Sequence, residues 1–236
     1  AETIDEDRFC LEKFGMRPLE YMESVGWLGD DVWFAHMVHP SADEITQMAE
    51  TRTGICHCPS SNMILASGIA PVRDMVDAGM KVALGVDGSA SNDGNHMLGE
   101  ARQAMLLQRV GWPGFEAKAD RFSARDALEL ATLGGARVLR REDDIGSLEV
   151  GKSADLIAVD FNDLESQPLY DPVSHLVYCT SRNQVTHSWV NGRLLMENRQ
   201  LTTLDSDTLV TNAKAWQAKI SAFGAHTTTP AESGND

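Results

Sequence analysis

Short apolar runs alternate with helical patterns over roughly the first 140 residues, and this alternation limits the possible folds more than any other feature. Strands are predicted at residues 32–38, 54–58 and 81–87. Helices are predicted at residues 41–52, 71–78, 97–106 and from 123 to about 134. Ser41 and Glu44 form a capping box at the start of the first of these helices. Strands that alternate with helices pair in parallel, so the sequence predicts an α/β fold built on a parallel sheet.

The pattern changes near residue 145. From there to residue 200, short alternating strands are separated by turn signals, and Asn191-Gly192 between two apolar runs predicts a two-residue hairpin turn. An amphipathic helix is predicted from 205 to 223, and a loose tail rich in Thr, Ser, Pro and Gly follows from His226. The predicted divisions are a βα portion at 1–144, a small β module at 145–201, and a terminal helix with a flexible tail at 202–236.

Charge excludes some classes of partner. The chain carries 20 Lys and Arg against 35 Asp and Glu, which gives a net charge of −15. An acidic surface repels phosphate backbones and anionic lipid, so we expect neither nucleic acid nor a membrane as a partner. The longest apolar runs are far shorter than the roughly 20 residues of a membrane span. No basic-then-apolar leader is seen in the sequence, and we expect no signal peptide in it.

The cysteines are too few and too scattered for a disulfide framework: Cys10, Cys56, Cys58 and Cys179. This usage predicts a reducing compartment, and the expected location is the cytoplasm. Cys56-His57-Cys58 has the look of a metal site, but no second Cys/His pair lies at zinc-finger spacing. We interpret it as a strand that places two small apolar side chains on one face.

Polar side chains interrupt or end two of the predicted strands. His36 lies on an alternating face of its strand, and Asp87 closes another strand just before a glycine. Catalytic groups of parallel β/α folds lie at the carboxyl ends of strands, where a desolvated Asp needs a cation, a proton or a donor. Glu2 adds a third strand-end group. A helix cap for Asp87 and a hydrogen-bonded core position for His36 are the structural alternatives.

Two loops beside these groups are dense in hydrogen-bonding residues, as a polar ligand pocket requires. They are His57-Cys58-Pro59-Ser60-Ser61-Asn62 and Gly85-Val86-Asp87-Gly88-Ser89-Ala90-Ser91-Asn92. Both loops resemble those of the amidohydrolase superfamily, in the branch of guanine deaminases, triazine hydrolases and 8-oxoguanine deaminases. The runs 144–156 and 190–193 are similar to the C-terminal β module of that family. The resemblance covers residues 1 to 201 and implies the C-terminal part of a (β/α)8 metal-dependent hydrolase barrel followed by a small β module.

The resemblance implies roles for five residues. Asp87 corresponds to the metal ligand of the eighth strand, which also accepts the proton of the attacking water. Glu2 corresponds to the proton shuttle, and His36 to the histidine that contacts the water or the substrate. Glu2, His36, Asn62 and Ser91 are the expected substrate contacts. The implied cofactor is one divalent metal ion, zinc or alternatively iron, which lowers the pKa of a bound water.

The departures from the family pattern are large. The family binds its metal with a His-x-His pair that this sequence lacks. We therefore expect an N-terminally truncated chain that is inactive in isolation. The expected function of the intact form is hydrolytic deamination of an aminated purine-like heterocycle, 8-oxoguanine first, with water as co-substrate and a homo-oligomeric assembly. The alternatives are a triazine-type amino- or chlorohydrolase and a non-catalytic half-barrel binding protein.

Overall fold

The computed structural model of this protein describes residues 1–110 and 116–227. The helices of its first part are α1 (Ile4–Phe14), α2 (Pro18–Ser24), α3 (Ala42–Thr51), α4 (Pro59–Ile64), α5 (Val72–Asp77), α6 (Met97–Leu107), α7 (Ala124–Glu129) and α8 (Gly135–Val138). The strands of this part are β1 (Trp33–Ala35), β2 (Gly54–His57) and β3 (Val82–Leu84). A π-helical turn at Leu130–Gly134 joins α7 to α8.

The three strands form a parallel sheet in the order β1-β2-β3. The register places Phe34 beside Ile55 and Ile55 beside Val82. Their carboxyl ends therefore meet at one edge of the sheet. The predicted α/β fold with a parallel sheet is confirmed.

Two of the strands are shorter than the apolar runs that predict them. The run that contains β1 continues to Val38, but His36 and Met37 adopt positive φ angles of 68° and 43°. Asp87 likewise has a φ of 61°. Left-handed backbone cannot continue a β ladder and is costly for residues with a Cβ. The chain leaves the sheet directly before His36, and β3 ends three residues before Asp87.

Helices α1 and α2 lie in a region where the sequence analysis predicts no element. The acidic first turn of α1 complements the helix dipole, and Gly15 ends the helix in the left-handed conformation at φ 68°. The predicted capping box at α3 is confirmed, since the Ser41 hydroxyl accepts from the Glu44 N–H and Glu44 returns a bond to the Ser41 N–H.

The core lies between the parallel sheet and its helices. Its fully buried side chains are mostly unbranched or β-branched aliphatics with one aromatic: Met48, Ile55, Val72, Met75, Met105 and Phe122. Burial of a side chain of this size contributes roughly 1.5–3 kcal/mol each. This core fixes the sheet, and with it the edge at which the polar side chains meet.

The second part is an antiparallel meander. Its strands are β4 (Leu156–Val159), β5 (Val185–Val190), β6 (Arg193–Glu197) and β7 (Gln200–Leu201), in the order β4-β5-β6-β7. Asn191 and Gly192 both have positive φ angles, as a two-residue hairpin turn requires. The predicted β module and its hairpin are thus present in the structure.

Helix α9 (Pro172–Tyr178) lies within the segment assigned to the module but packs against the first part. Val177 joins the core cluster, and Arg102 of α6 donates to the Tyr178 carbonyl oxygen at 2.8 Å. The domain division at residue 145 remains a prediction, with α9 bridging its two sides.

The terminal helix α10 (Ser206–Thr227) begins one residue later than predicted, ends four residues beyond the predicted end and includes the first two residues of the predicted tail. Its apolar side chains up to Phe223 are exposed, with Trp216 at 62%. The rest of the predicted tail, 228–236, lies outside the described residues. In the described part of the chain, no helix is long and apolar enough to cross a membrane.

Arg17 connects three segments near the carboxyl edge of the sheet. Its guanidinium donates to Asp7 of α1 at 2.7 Å, to both carboxylate oxygens of Glu44 in α3 at 3.0 and 2.9 Å, and to the His39 carbonyl oxygen at 2.9 Å. Asp7 and Glu44 are each 6% exposed. Arg17 therefore neutralises two buried carboxylates and ties α1 to the loop after β1.

Removing this guanidinium will leave two buried carboxylates without their cation. We expect Arg17→Ala to lower the free energy of unfolding by about 3 kcal/mol, and Arg17→Lys to recover less than half of that, because an ammonium cannot form the forked contacts. Urea unfolding measures both changes. The control is Arg8→Ala, which breaks an exposed pair with Asp5 and is expected to cost under about 0.5 kcal/mol. Equal losses for Arg17→Ala and the control would contradict this role.

Candidate active site

Glu2, His36 and Asp87 meet at the carboxyl edge of the parallel sheet. The imidazole Nε2 of His36 lies 3.8 Å from a carboxylate oxygen of Glu2 and 3.8 Å from a carboxylate oxygen of Asp87. His36 follows β1 and Asp87 follows β3, while the Val38 N–H donates to the Ala1 carbonyl oxygen at 2.9 Å and holds the start of the chain beside them. The structure therefore brings together the three groups predicted to be catalytic.

The orientation of the His36 ring follows from its contact with Asn62. Nδ1 of His36 lies 2.9 Å from the Asn62 amide oxygen. An amide oxygen only accepts, so Nδ1 carries a proton and donates it. In the neutral ring, Nε2 then presents its lone pair towards the two carboxylates.

Asp87 is held by two hydroxyl groups, one from α4, which forms where the sequence predicts a loop at residues 57–62, and one from the loop after β3. Its Oδ2 accepts from Ser61 Oγ at 2.6 Å and from Ser91 Oγ at 3.0 Å. The Ser61 hydroxyl, followed by the Gly88 N–H, lowers the pKa of Asp87 below its ordinary value. The carboxylate is therefore ionised at neutral pH.

The Glu2 carboxylate divides its two oxygens between different neighbours. Ser67 Oγ donates to Oε1 at 3.2 Å, and Oε2 is the oxygen that faces His36. The carbonyl oxygen of Ser67 lies 2.8 Å from His39 Nε2, which fixes the loop that carries this serine. Glu2 is thereby oriented towards the imidazole from outside the sheet.

The two predicted substrate contacts from the loops lie in different surroundings. Asn62 is 1% exposed and its oxygen is engaged by His36. Its Nδ2 is buried without a hydrogen-bond partner. Ser91 is half-buried and bonded to Asp87. Both side chains belong to the cluster, and their contact with a substrate remains a prediction.

The carboxylates of Glu2 and Asp87 create a site that favours a positively charged group. One oxygen of each of two carboxylates lies 3.8 Å from His36 Nε2, so a cation at this point is electrostatically favoured. Across residues 1–110 and 116–227, however, no group of three His, Cys, Asp or Glu side chains is arranged to hold a metal ion. Zinc takes three or four protein ligands. The described residues thus do not fit a complete zinc site, and Asp87 as a metal ligand remains a prediction.

The Cys56-His57-Cys58 run lies at the carboxyl end of β2. All four cysteines of the chain are free thiols. Burial lowers the pKa of His57 to about 3, with a further lowering by nearby His36. His57 is fully buried and neither ring nitrogen has a hydrogen-bond partner. It is a neutral side chain at physiological pH.

Three residues of the site are absent from the sequence-based predictions. Ser61 anchors Asp87, Ser67 anchors Glu2, and the buried Glu100 contacts both site loops. The sequence does indicate a special role for Glu100, because this charged residue lies among apolar residues on the buried side of α6. It gives no such indication for the serines beyond their place in a polar loop.

Comparisons with known proteins identify the family of this chain. The profile of the amidohydrolase family matches residues 1–195. An 8-oxoguanine deaminase from Pseudomonas aeruginosa is 45% identical over 215 residues, which are 91% of this chain and 46% of that protein.

Two solved structures show the same fold. One is an adenosine deaminase from Xanthomonas campestris with bound zinc, which has a TM-score of 0.89 and 38% identity over 94% of this chain and 49% of its own. The other is an atrazine chlorohydrolase from Arthrobacter aurescens complexed with zinc, with a TM-score of 0.84 and 33% identity over 91% of this chain and 47% of its own. The chain spans about half the length of these relatives. It belongs to the amidohydrolase family.

Proposed function

We propose that this protein takes part in hydrolytic deamination of an aminated purine-like heterocycle, with water as the second substrate. One observation carries the proposal: His36 Nε2 lies 3.8 Å from each of two carboxylates at the carboxyl edge of the sheet. Such a cluster suits a reaction in which a proton moves between several heavy atoms.

The chemistry required is a hydrolysis in which one C–O bond forms, one C–N bond breaks, and the two protons of the water end on the ring nitrogen and on the departing ammonia. Water adds to the ring carbon that bears the amino group, a ring nitrogen and then the leaving amine take up protons, and ammonia departs. In our proposal Asp87, which is ionised, accepts the proton of the water. Glu2 carries a proton to the ring nitrogen and the amine. His36 contacts the water or the developing oxygen, with Asn62 fixing its tautomer.

The proposed substrate is 8-oxoguanine. It is the substrate named for the Pseudomonas aeruginosa relative, which is 45% identical to this chain. A triazine is the second candidate, supported by the TM-score of 0.84 to the atrazine chlorohydrolase. The homo-oligomeric assembly and the cytoplasmic location stay predictions.

We propose a divalent metal ion as part of the intact enzyme, because the two similar structures named above contain zinc. Zinc is the first candidate and iron the second. This chain would contribute Asp87. The remaining ligands would come from outside the described residues, since these hold no complete group.

The test is a chimera in which the half of the Pseudomonas aeruginosa deaminase that this chain does not match is fused to residues 1–236 in the order of that relative. We expect the chimera to bind about one metal ion per chain and to hydrolyse 8-oxoguanine at least about 10²-fold faster than adenosine or atrazine, because a pocket built to hydrogen-bond one ring rejects analogues that lack its polar groups. Released ammonia measures the first two reactions, and released chloride measures the hydrolysis of atrazine. Faster hydrolysis of atrazine than of 8-oxoguanine would show that the substrate is a triazine. A chimera that is folded and loaded with metal but inactive on all three would favour the binding-protein alternative.

The unfused chain is the matched comparison. We expect its metal content, by plasma emission spectrometry, to be well below one ion per chain, and its turnover of 8-oxoguanine to be undetectable, because it supplies too few ligands. Stoichiometric metal together with turnover would show that residues 1–236 form a complete enzyme and would contradict the proposed division of ligands.

A further inference from the structure

Glu100 is a buried carboxylate on the helix beneath both site loops. It lies in α6 and is 2% exposed. Its Oε2 accepts from the Ser60 N–H at 3.0 Å, and its Oε1 accepts from Asn92 Nδ2 at 2.8 Å. Both donors are neutral. A buried carboxylate is costly unless its oxygens are well satisfied, so these two bonds are what makes a Glu tolerable here.

The two bonds reach the segments that carry the cluster. Ser60 begins the turn of α4 that places Ser61 against Asp87 and Asn62 against His36. Asn92 Nδ2 also donates to the Val86 carbonyl oxygen at 2.8 Å, one residue before Asp87. A single carboxylate therefore fixes the loop of the aspartate relative to the helix that holds its serine donor.

We propose that Glu100 is a positioning residue that sets the spacing between Asp87 and His36 by holding these two loops together. Glu100 itself contacts neither side chain. The consequence for catalysis rests on the function proposed above, whereas the effect on loop geometry does not depend on it.

Both hydrogen-bond partners of Glu100 are donors, which restricts the residue types that position 100 can accommodate. A backbone N–H cannot become an acceptor. The Asn92 amide cannot turn over without losing its bond to Val86. Position 100 must therefore present two acceptors. The Gln side chain of Glu100→Gln has the same shape as Glu, but its NH₂ group would face either the Ser60 N–H or the Asn92 NH₂, and both are donors. We therefore expect Glu100→Gln to disturb the loops as much as Glu100→Ala does.

The first readout uses the 236-residue chain without metal or substrate. Ring ¹⁵N resonances of His36 report whether its proton is on Nδ1, as the bond to Asn62 requires. We expect a single Nδ1–H form in the native chain and a mixture in Glu100→Gln. The matched control is Gln108→Ala at the end of the same helix. Gln108 is also fully buried and bonds to the Arg73 N–H and the Ala70 carbonyl oxygen instead of the site loops. The control should keep the native form.

The second readout is the kinetics of the chimera. We expect Glu100→Gln to lower kcat about 10²-fold, as a misplacement near 1 Å does, with KM changed by less than about threefold. Gln108→Ala should leave kcat within about threefold. If the chimera with no substitution is inactive, the proposed function fails, while the ¹⁵N result still decides whether Glu100 positions His36.

A polarity swap covers the case in which Glu100→Gln does not fold. Asn92→Asp alone sets two carboxylates against each other. The double variant Asn92→Asp/Glu100→Gln restores a donor and an acceptor across that contact, although it replaces the bond to Val86 with a contact between two oxygen atoms. We expect it to recover the Nδ1–H form of His36 in large part. Additive damage in the double variant, a native His36 spectrum in Glu100→Gln, or an equal change in Gln108→Ala would each overturn the proposal.

Discussion

Replacing Glu2 by Gln or Asp87 by Ala will lower kcat/KM of the chimera for 8-oxoguanine by about 10³-fold, the scale on which positioned acids and bases act. Glu2→Gln keeps the shape of the side chain and its contact with Ser67 but removes the group that carries a proton. Asp87→Ala removes the carboxylate that Ser61 and Ser91 orient. Steady-state ammonia release measures both losses.

The control is a histidine that lies elsewhere. His187 is in β5 of the β module and stacks on Trp189 with ring centroids 5.5 Å apart. His187→Ala should leave kcat/KM within about threefold, because a surface sheet contact does not affect the transition state. A near-native rate in Glu2→Gln or in Asp87→Ala would show that the assigned roles are wrong. A large loss in His187→Ala would show that the active site includes the β module.

The free energy of unfolding of the 236-residue chain will fall by about 2 kcal/mol between pH 7 and pH 5 because of His57 alone. Burial lowers the pKa of His57 in the folded state to about 3. The unfolded chain binds a proton near the ordinary histidine value of about 6.5, while the folded chain does not. Protons therefore favour the unfolded state, and stability decreases as pH falls through this window.

Urea unfolding at intervals from pH 7 to pH 5 tests this slope. His57→Leu should flatten it and should cost little at pH 7, since both ring nitrogens are buried without partners and an apolar side chain of similar size loses no hydrogen bond. The control is Ile55→Val, a fully buried change two residues away on β2, which should lower stability by about 1 kcal/mol equally at every pH. An unchanged slope in His57→Leu would contradict a neutral buried His57.

The sequence predicts the parts of the fold that depend on local patterns. Hydrophobic runs locate the three parallel strands, Ser41 and Glu44 locate the start of α3, and Asn191-Gly192 locates the hairpin of the module. Each signal lies within a few residues of the structure it specifies. The ends of the strands are less well predicted because the left-handed backbone at His36 is imposed by the surrounding fold and leaves no local mark.

The contacts that build the candidate site are long-range. Ser61 and Asp87 are 26 residues apart in sequence, and Glu100 is 40 residues from Ser60. A serine in a polar loop looks the same whether or not its hydroxyl meets a carboxylate. The three predicted catalytic residues were accessible to sequence reasoning because strand ends and a family resemblance mark them. Their supporting residues become visible only when the loops are placed together.

The central claim is that Glu2, His36 and Asp87 act as one proton-transfer unit. The most direct test is a double-mutant cycle on kcat/KM of the chimera with Glu2→Gln, Asp87→Asn and both together. Groups that act as a unit are strongly non-additive, so we predict that the double variant will be no slower than the worse single variant by more than about threefold. Losses that multiply, so that the double variant falls by about the product of the two single effects, would show that the two carboxylates work independently and would contradict the claim.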